Sequence, residues 1–134
     1  MASILRVNTL TDASSNNSTA MSTVNQGTAK SWANFNGSGT IATRDSFNVG
    51  SITDNGTGDY TINISSAMSN VNYSALSGAN AESSATTFSC PYTGASFAAH
   101  APTTSAFRFG NFTHNSASNK DVTYTSAAIH GDLA

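Results

Sequence analysis

Charged side chains are scarce in this sequence, making up 9% of its 134 residues, and the formal net charge at pH 7 is −2. In a typical globular chain about a quarter of the residues are charged. The five cationic residues form no basic patch: Arg6, Lys30, Arg44, Arg108 and Lys120. Because nucleic acids and anionic membranes are bound mainly through clustered Lys and Arg, this composition argues against both as partners.

Disulfides and long apolar runs are also missing. The single cysteine, Cys90, excludes an intrachain disulfide, and we interpret it as a small apolar side chain rather than a reactive thiol. No apolar run approaches the ~20 residues of a membrane-spanning helix, and the first residues lack the apolar region of a signal peptide. We therefore expect no membrane insertion, synthesis in a cytoplasm, and release by lysis.

Small polar residues are abundant instead, with 22 Ser, 18 Thr and 15 Asn. Such a composition can indicate disorder. However, seven Phe, four Tyr and one Trp accompany many Val, Ile and Thr, and these residues suit a pleated, half-buried surface. The composition therefore favours a folded β protein.

Short alternating segments separated by Asn/Gly turns recur along most of the chain. In the clearest one, Tyr60, Ile62 and Ile64 share a face. Residues 36–39 and 54–59 have the Asn and Gly that tight hairpin turns require. No stretch of ten residues shows helical spacing. This pattern predicts an all-β fold, an antiparallel sandwich-like domain of the jelly-roll or small-barrel type.

Several aromatic and aliphatic residues of these segments are predicted to anchor the core or a subunit interface. In the segment 104–114, Phe107 and Phe109 share a face, and Gly110 indicates a bulge that offsets Phe112. The predicted strands are 3–10, 28–35, 40–49, 60–65, 71–78, 84–90, 104–114 and 120–131, and a short segment, 51–53, precedes the turn at 54–59. The predicted anchors are Trp32, Phe35, Tyr60, Ile62, Ile64, Phe107 and Phe109.

The polar, weakly periodic residues 11–27 separate a short apolar segment from the main domain. Ile4, Leu5 and Val7 are too few to fold alone but are well suited to pairing with the sheet edge of a neighbouring protein. We therefore predict an N-terminal attachment arm over residues 1–24 and a β-sandwich knob domain over residues 25–134.

Catalytic and metal-binding patterns are weak. Asp54 and Asp59 offer oxygen ligands for a hard cation, but a hairpin turn explains the same residues, so they are only weak metal candidates. The histidines are far apart in sequence: His100, His114 and His130. Most carboxylates lie in or beside predicted turns, which argues against the carboxylate pair of a glycosidase. We expect neither enzymatic activity nor a cofactor.

Aromatic rings with a polar edge offer a different kind of site. An exposed ring of this type stacks on the apolar face of a sugar, whereas a buried one fills the core or a subunit interface. Both interpretations apply to Trp32, Tyr73, Tyr92 and Tyr124. We take Tyr73 and Tyr92 as candidate glycan contacts.

Three segments carry a family resemblance: residues 30–37 (KSWANFNG), 44–49 (RDSFNV) and 54–61 (DNGTGDYT). They resemble small tail-fibre proteins and fibre C-terminal domains in the virions of tailed phages that infect marine bacteria and cyanobacteria. The resemblance covers residues 28–65 well and the two ends of the chain loosely. Residues 66–118 show no such similarity.

The resemblance implies a homotrimeric knob in the virion, on or at the tip of a tail fibre. It would contact neighbouring virion proteins through its arm and bind host surface carbohydrate, and its motifs would be architectural. The alternative is a capsid decoration (cement) or baseplate structural protein without receptor binding. A polysaccharide-cleaving tail enzyme is a third class, against which the poor supply of paired carboxylates argues.

Overall fold

The structure, a computed structural model, describes residue 4 and residues 6–80, 87–91, 100–113 and 118–134. It confirms the antiparallel β-sandwich. The described part of the chain contains ten strands and one short helix: β1 (Thr9–Thr11), β2 (Ser18–Ala20), α1 (Met21–Gly27), β3 (Ser31–Asn36), β4 (Ala42–Phe47), β5 (Val49–Gly56), β6 (Asp59–Ile64), β7 (Ser74–Ala79), β8 (Thr87–Pro91), β9 (Ala106–Thr113) and β10 (Thr125–His130).

Two four-stranded antiparallel sheets form the sandwich. The first sheet has the strand order β4-β3-β10-β7 and the second β5-β6-β9-β8, while β1 and β2 form a separate hairpin. Strand β10 lies between β3 and β7, and β9 lies between β6 and β8. Each sheet therefore has one of the last two strands at an inner position. These strands pair with β3 and β6, which lie far away in the sequence.

The core lies between the sheets and is built around three aromatic rings. Phe35, Tyr60 and Phe109 are fully buried. Their ring centroids are 5.2 Å apart for Phe35 and Tyr60, 6.4 Å for Phe35 and Phe109, and 5.9 Å for Tyr60 and Phe109. Six predicted anchors belong to the buried cluster: Phe35, Tyr60, Ile62, Ile64, Phe107 and Phe109.

Trp32, the seventh predicted anchor, is not a core residue. It is half-buried on the outer face of β3, whereas its neighbours Ser31 and Ala33 are buried. The alternation of a strand places Trp32 opposite Phe35, and the Phe35 face is the one that packs against the second sheet.

A buried hydroxyl joins the two sheets at Tyr60. Its oxygen lies 2.7 Å from the carbonyl oxygen of Gly37 and 3.0 Å from Oδ1 of Asp121, which also accepts a bond from the Gly58 amide at 2.6 Å. A Cβ atom at Gly37 would stand 2.6 Å from this hydroxyl, so the turn requires glycine there. Burial, followed by the hydrogen bond and the charge of Asp121, raises the pKa of Tyr60 above its ordinary value of 10.0.

Asn48 forms the corner at which the chain passes from the first sheet to the second. The predicted strand 40–49 therefore divides into β4 and β5 at this residue, which has a left-handed φ of 55°. The Asn48 side-chain amide donates to the carbonyl oxygens of Lys30 (2.9 Å) and Ser66 (3.0 Å), and its Oδ1 accepts from the Ser66 amide (2.7 Å). One side chain thus fastens three chain segments.

The turns and bulges follow the prediction in part. The block 54–59 is the β5–β6 hairpin turn, with positive φ at Gly56 (131°) and Gly58 (61°). The predicted bulge at Gly110 is wrong, because β9 keeps a continuous register with both β6 and β8. Regular alternation alone places Phe112 on the outer face, where it stacks on Phe88 at 5.6 Å.

The N-terminal region is more regular than predicted. Among the described residues of the strand predicted over 3–10, only the last two belong to a strand, β1 (Thr9–Thr11), and the segment 11–27 forms a hairpin followed by α1. Ile4 and Val7 are exposed, and Leu5 lies outside the described residues. The boundary predicted after residue 24 falls inside α1.

A buried lysine attaches α1 to the sandwich. The Lys30 ammonium donates to Oδ1 of Asn25 (2.7 Å) and Oγ1 of Thr28 (2.9 Å), and it also contacts the backbone carbonyl of Asn25. Because the last carbonyls of a helix lack intrahelical donors, a cation at this end satisfies them. The contact holds α1 beside the start of β3.

We expect the corner to depend on both the side chain and the backbone angle of Asn48. Asn48→Gly keeps the left-handed angle but removes the side-chain bonds, and should lower the free energy of unfolding by about 1–2 kcal/mol. Asn48→Ala adds left-handed strain and should cost about 1 kcal/mol more. Urea denaturation measures both, and an alanine variant as stable as the glycine variant would contradict the strain.

Tyr60→Phe should lower the free energy of unfolding by about 1–2 kcal/mol, because Gly37 and Asp121 lose a buried partner. The raised pKa adds a pH dependence: the stabilisation by Tyr60 is complete below pH 10 and is lost as the pH rises further. Wild type should therefore lose more stability above pH 10 than Tyr60→Phe does in urea titrations. Tyr124→Phe, at an exposed tyrosine, is the matched control; equal alkaline losses in wild type and Tyr60→Phe would contradict the assignment.

Candidate functional site

The weak metal candidates of the block 54–59, Asp54 and Asp59, both bond to other groups of the protein. Oδ1 of Asp54 accepts from the Gly56 amide at 2.9 Å. Asp59 forms a bidentate ion pair with Arg108, with N···O distances of 2.7 and 2.5 Å, and Arg108 also lies 2.8 Å from Nδ1 of His100. In the described ranges, no group of three or more His, Cys, Asp or Glu is placed to hold a metal ion. The Asp59–Arg108 ion pair therefore attaches the β5–β6 turn to β9.

The remaining histidines and the cysteine form no common site in the part of the chain that the structure describes. His130 ends β10 in the first sheet, whereas Arg108 lies on β9 in the second, and His114 lies outside the described residues. Cys90 is half-buried on β8, and burial raises the pKa of its thiol. A raised pKa lowers the thiolate fraction and with it the reactivity of the thiol.

Of the two predicted glycan contacts, only Tyr73 belongs to the residues that the structure describes. Tyr73 packs against the core, with its hydroxyl 2.9 Å from the Thr103 carbonyl oxygen and 3.2 Å from that of Ala106. Burial raises the pKa of Tyr73 to about 12. Tyr73 is thus a structural residue rather than a stacking platform, and Tyr92 lies outside the described residues.

The outer face of the first sheet instead presents an open groove beside Trp32. Across the sheet, Phe47, Trp32, Ala128 and Leu76 are register partners on β4, β3, β10 and β7. Trp32 and Leu76 are two strands apart, about 10 Å, with the small Ala128 between them. Phe47 and Leu76 are 52% and 57% exposed. The resulting groove has a volume of about 470 Å³.

A polar row lies next to this apolar row in the same groove. Asn34, Ser126 and Gly78 are register partners on β3, β10 and β7. A Cβ atom at Gly78 would stand 3.1 Å from Oγ of Ser126, so glycine keeps the groove floor open around this hydroxyl. The groove therefore combines an indole wall with amide and hydroxyl groups.

Arg44 and Tyr124 lie beyond the polar row. The Arg44 guanidinium stacks over the Tyr124 ring, 4.1 Å from its centroid, and its Nη1 lies 3.5 Å from Oδ1 of Asn34. Tyr124 is 55% exposed and precedes Ala128 by four residues, which is about 13 Å of extended chain. We call the surface from Trp32 to Tyr124 the Trp32 face.

Sequence reasoning identified only parts of this face. Trp32 and Tyr124 were recognised as aromatic residues that suit a sugar, but Leu76, Ser126 and Arg44 were missed. The one sequence signal was the alternation that separates Trp32 from Phe35. The neighbours that complete the groove come from strands far along the chain.

Comparisons of the chain with known proteins return no matching family model, curated protein or solved structure. Within the described residues, no helix is long and apolar enough to cross a membrane. The function is therefore inferred mainly from the geometry and the side-chain chemistry of the Trp32 face.

Trp32→Ala tests the placement of the indole. A core anchor would lose about 3–5 kcal/mol of unfolding free energy, whereas on the outer face we expect a loss of about 1 kcal/mol. Phe35→Ala is the matched core control and should lose the larger amount. Because Trp32 is the sole tryptophan, acrylamide should quench native fluorescence directly. Equal destabilisation by the two substitutions would contradict the outer placement.

Proposed function

We propose that this protein is a non-catalytic attachment module that binds a glycan on the Trp32 face. The carrying observation is the half-exposed indole of Trp32 at the wall of an open groove. One face of a pyranose ring is made of C–H groups and suits an aromatic ring, while its hydroxyls need hydrogen-bond partners. Asn34 and Ser126 offer such partners in the adjacent row.

The form of the groove supports a chain-like ligand. It lies open on the sheet surface rather than inside the sandwich, so a polysaccharide can pass through without its ends being enclosed. Trp32 and Tyr124 provide two aromatic positions that are about 13 Å apart along the strand direction. The described residues that line the groove include no carboxylate, and glycoside hydrolysis generally uses a carboxylate pair. We therefore propose binding without cleavage.

The resemblance of residues 28–65 to phage fibre domains supports a location of this activity in a virion. In this proposal the protein is part of the virion, as a tail fibre or fibre tip, and its ligand is host surface carbohydrate. The N-terminal region would attach to neighbouring virion proteins. A homotrimer would present three grooves, so that weak individual contacts give strong attachment through avidity.

A second candidate function rests on the apolar side chains of the same face. Phe47 and Leu76 expose about half of their surface, which also suits burial against another protein. In that case the protein is a capsid decoration or baseplate component without receptor binding. The two functions differ in whether purified protein binds sugar.

Titration of the purified protein with polysaccharides, followed by Trp32 fluorescence, tests the proposed function. The panel contains dextran, galactan, polygalacturonate and lipopolysaccharide. At least one should shift the emission saturably, and Trp32→Ala should abolish binding in a pull-down with the immobilised polysaccharide.

Phe88→Ala is the matched control, since Phe88 is an exposed aromatic residue on the second sheet; it should bind like wild type. If no member of the panel binds to protein of verified fold, and Leu76→Ser disrupts a self-association seen by sedimentation, the structural function is supported instead.

A further inference from the structure

We infer that the Trp32 face takes an acidic glycan, with Arg44 binding the carboxylate of a uronic acid. This inference rests on the proposed function and specifies its ligand class. The observation behind it is a guanidinium that the fold holds in place beside the polar row of the groove.

Arg44 is oriented by two contacts. Its guanidinium stacks on the Tyr124 ring at 4.1 Å, and Nη1 donates a long hydrogen bond to Oδ1 of Asn34 at 3.5 Å. A planar guanidinium has five N–H donors, whose fork geometry matches a carboxylate. Stacking covers a face of the guanidinium and leaves its edge available, so the ordering that bidentate binding requires is partly present before the ligand arrives.

The charge of Arg44 is not neutralised within the described structure. No carboxylate lies within 4.0 Å of its guanidinium there. Asp45 lies beside Asn34 on β4, and its Oδ1 accepts from the Ser46 amide at 2.8 Å. By contrast, Arg108 is paired with Asp59. The protein thus keeps a cation without an ion pair on this face, which also includes Asp45, the register partner of Asn34 on β4.

Asn34 links this cation to the indole. Because its Oδ1 accepts from Arg44, its Nδ2 hydrogens remain for a sugar oxygen. Asn34 is two residues from Trp32 on the same strand face, about 7 Å away. The substituents of a sugar ring that stacks on Trp32 can therefore contact Asn34. A carboxylate on that ring, or on the next ring of the polymer, can then contact Arg44.

The test compares three polyuronates (polygalacturonate, alginate and hyaluronate), each with its carboxyl-reduced form, in which the carboxylates are primary alcohols. We expect wild type to bind at least one polyuronate about tenfold more tightly than its reduced form, since a charge-assisted bidentate pair contributes on this order. Arg44→Gln should remove the preference, so that the variant binds each polyuronate and its reduced form with equal affinity. Arg6→Gln, which removes an equal charge from an exposed site, should retain it.

The outcomes separate this inference from the proposed function. Equal binding of every polyuronate and its reduced form, with both lost in Trp32→Ala, would overturn the role of Arg44 and leave glycan binding intact. Dextran sulfate binding as tightly as the polyuronates would show general charge attraction and overturn the carboxylate assignment. If wild type binds neither these polymers nor any neutral polysaccharide, both proposals fail.

Discussion

The contact between Phe35, Tyr60 and Phe109 is the one on which the rest of the structure depends. Phe35 belongs to the first sheet and the other two rings to the second, so their edge-on packing holds the sheets face to face. The Tyr60 hydroxyl adds bonds to Gly37 and to Asp121, which precedes β10. The domain has few charges and no disulfide, and this aromatic centre connects its two sheets through both ring packing and hydrogen bonds.

The candidate site follows from the same constraint. Once Phe35 faces the second sheet, alternation along β3 leaves Trp32 and Asn34 on the outside. Strand β10 lies next to β3 and places the small Ala128 directly beside Trp32 and Ser126 beside Asn34, so the indole has no large register partner on this strand. Leu76 on β7 then closes the other wall. The groove thus results from a large, a small and a large side chain in register on three neighbouring strands.

The few charges of the protein are placed in distinct ways. Arg108 is paired with Asp59 beside the β5–β6 turn, and Lys30 is buried against α1, so both have structural roles. Arg44 is held by an aromatic ring and an amide instead. This difference in surroundings is the basis on which Arg44, rather than Arg108 or Lys30, is proposed to bind a ligand.

Alternation and turn residues are local signals, so the fold class, the hairpin at 54–59 and most of the core could be predicted from the sequence. Tyr60, Ile62, Ile64, Phe107 and Phe109 follow from them directly. The buried face of β3 could not be predicted in this way, because it depends on the strands that cover it in the folded domain. The tertiary structure also decided that Asn48 is a corner, and that Trp32, Leu76 and Arg44 share one surface, because strand order across a sheet brings together residues that no local pattern relates.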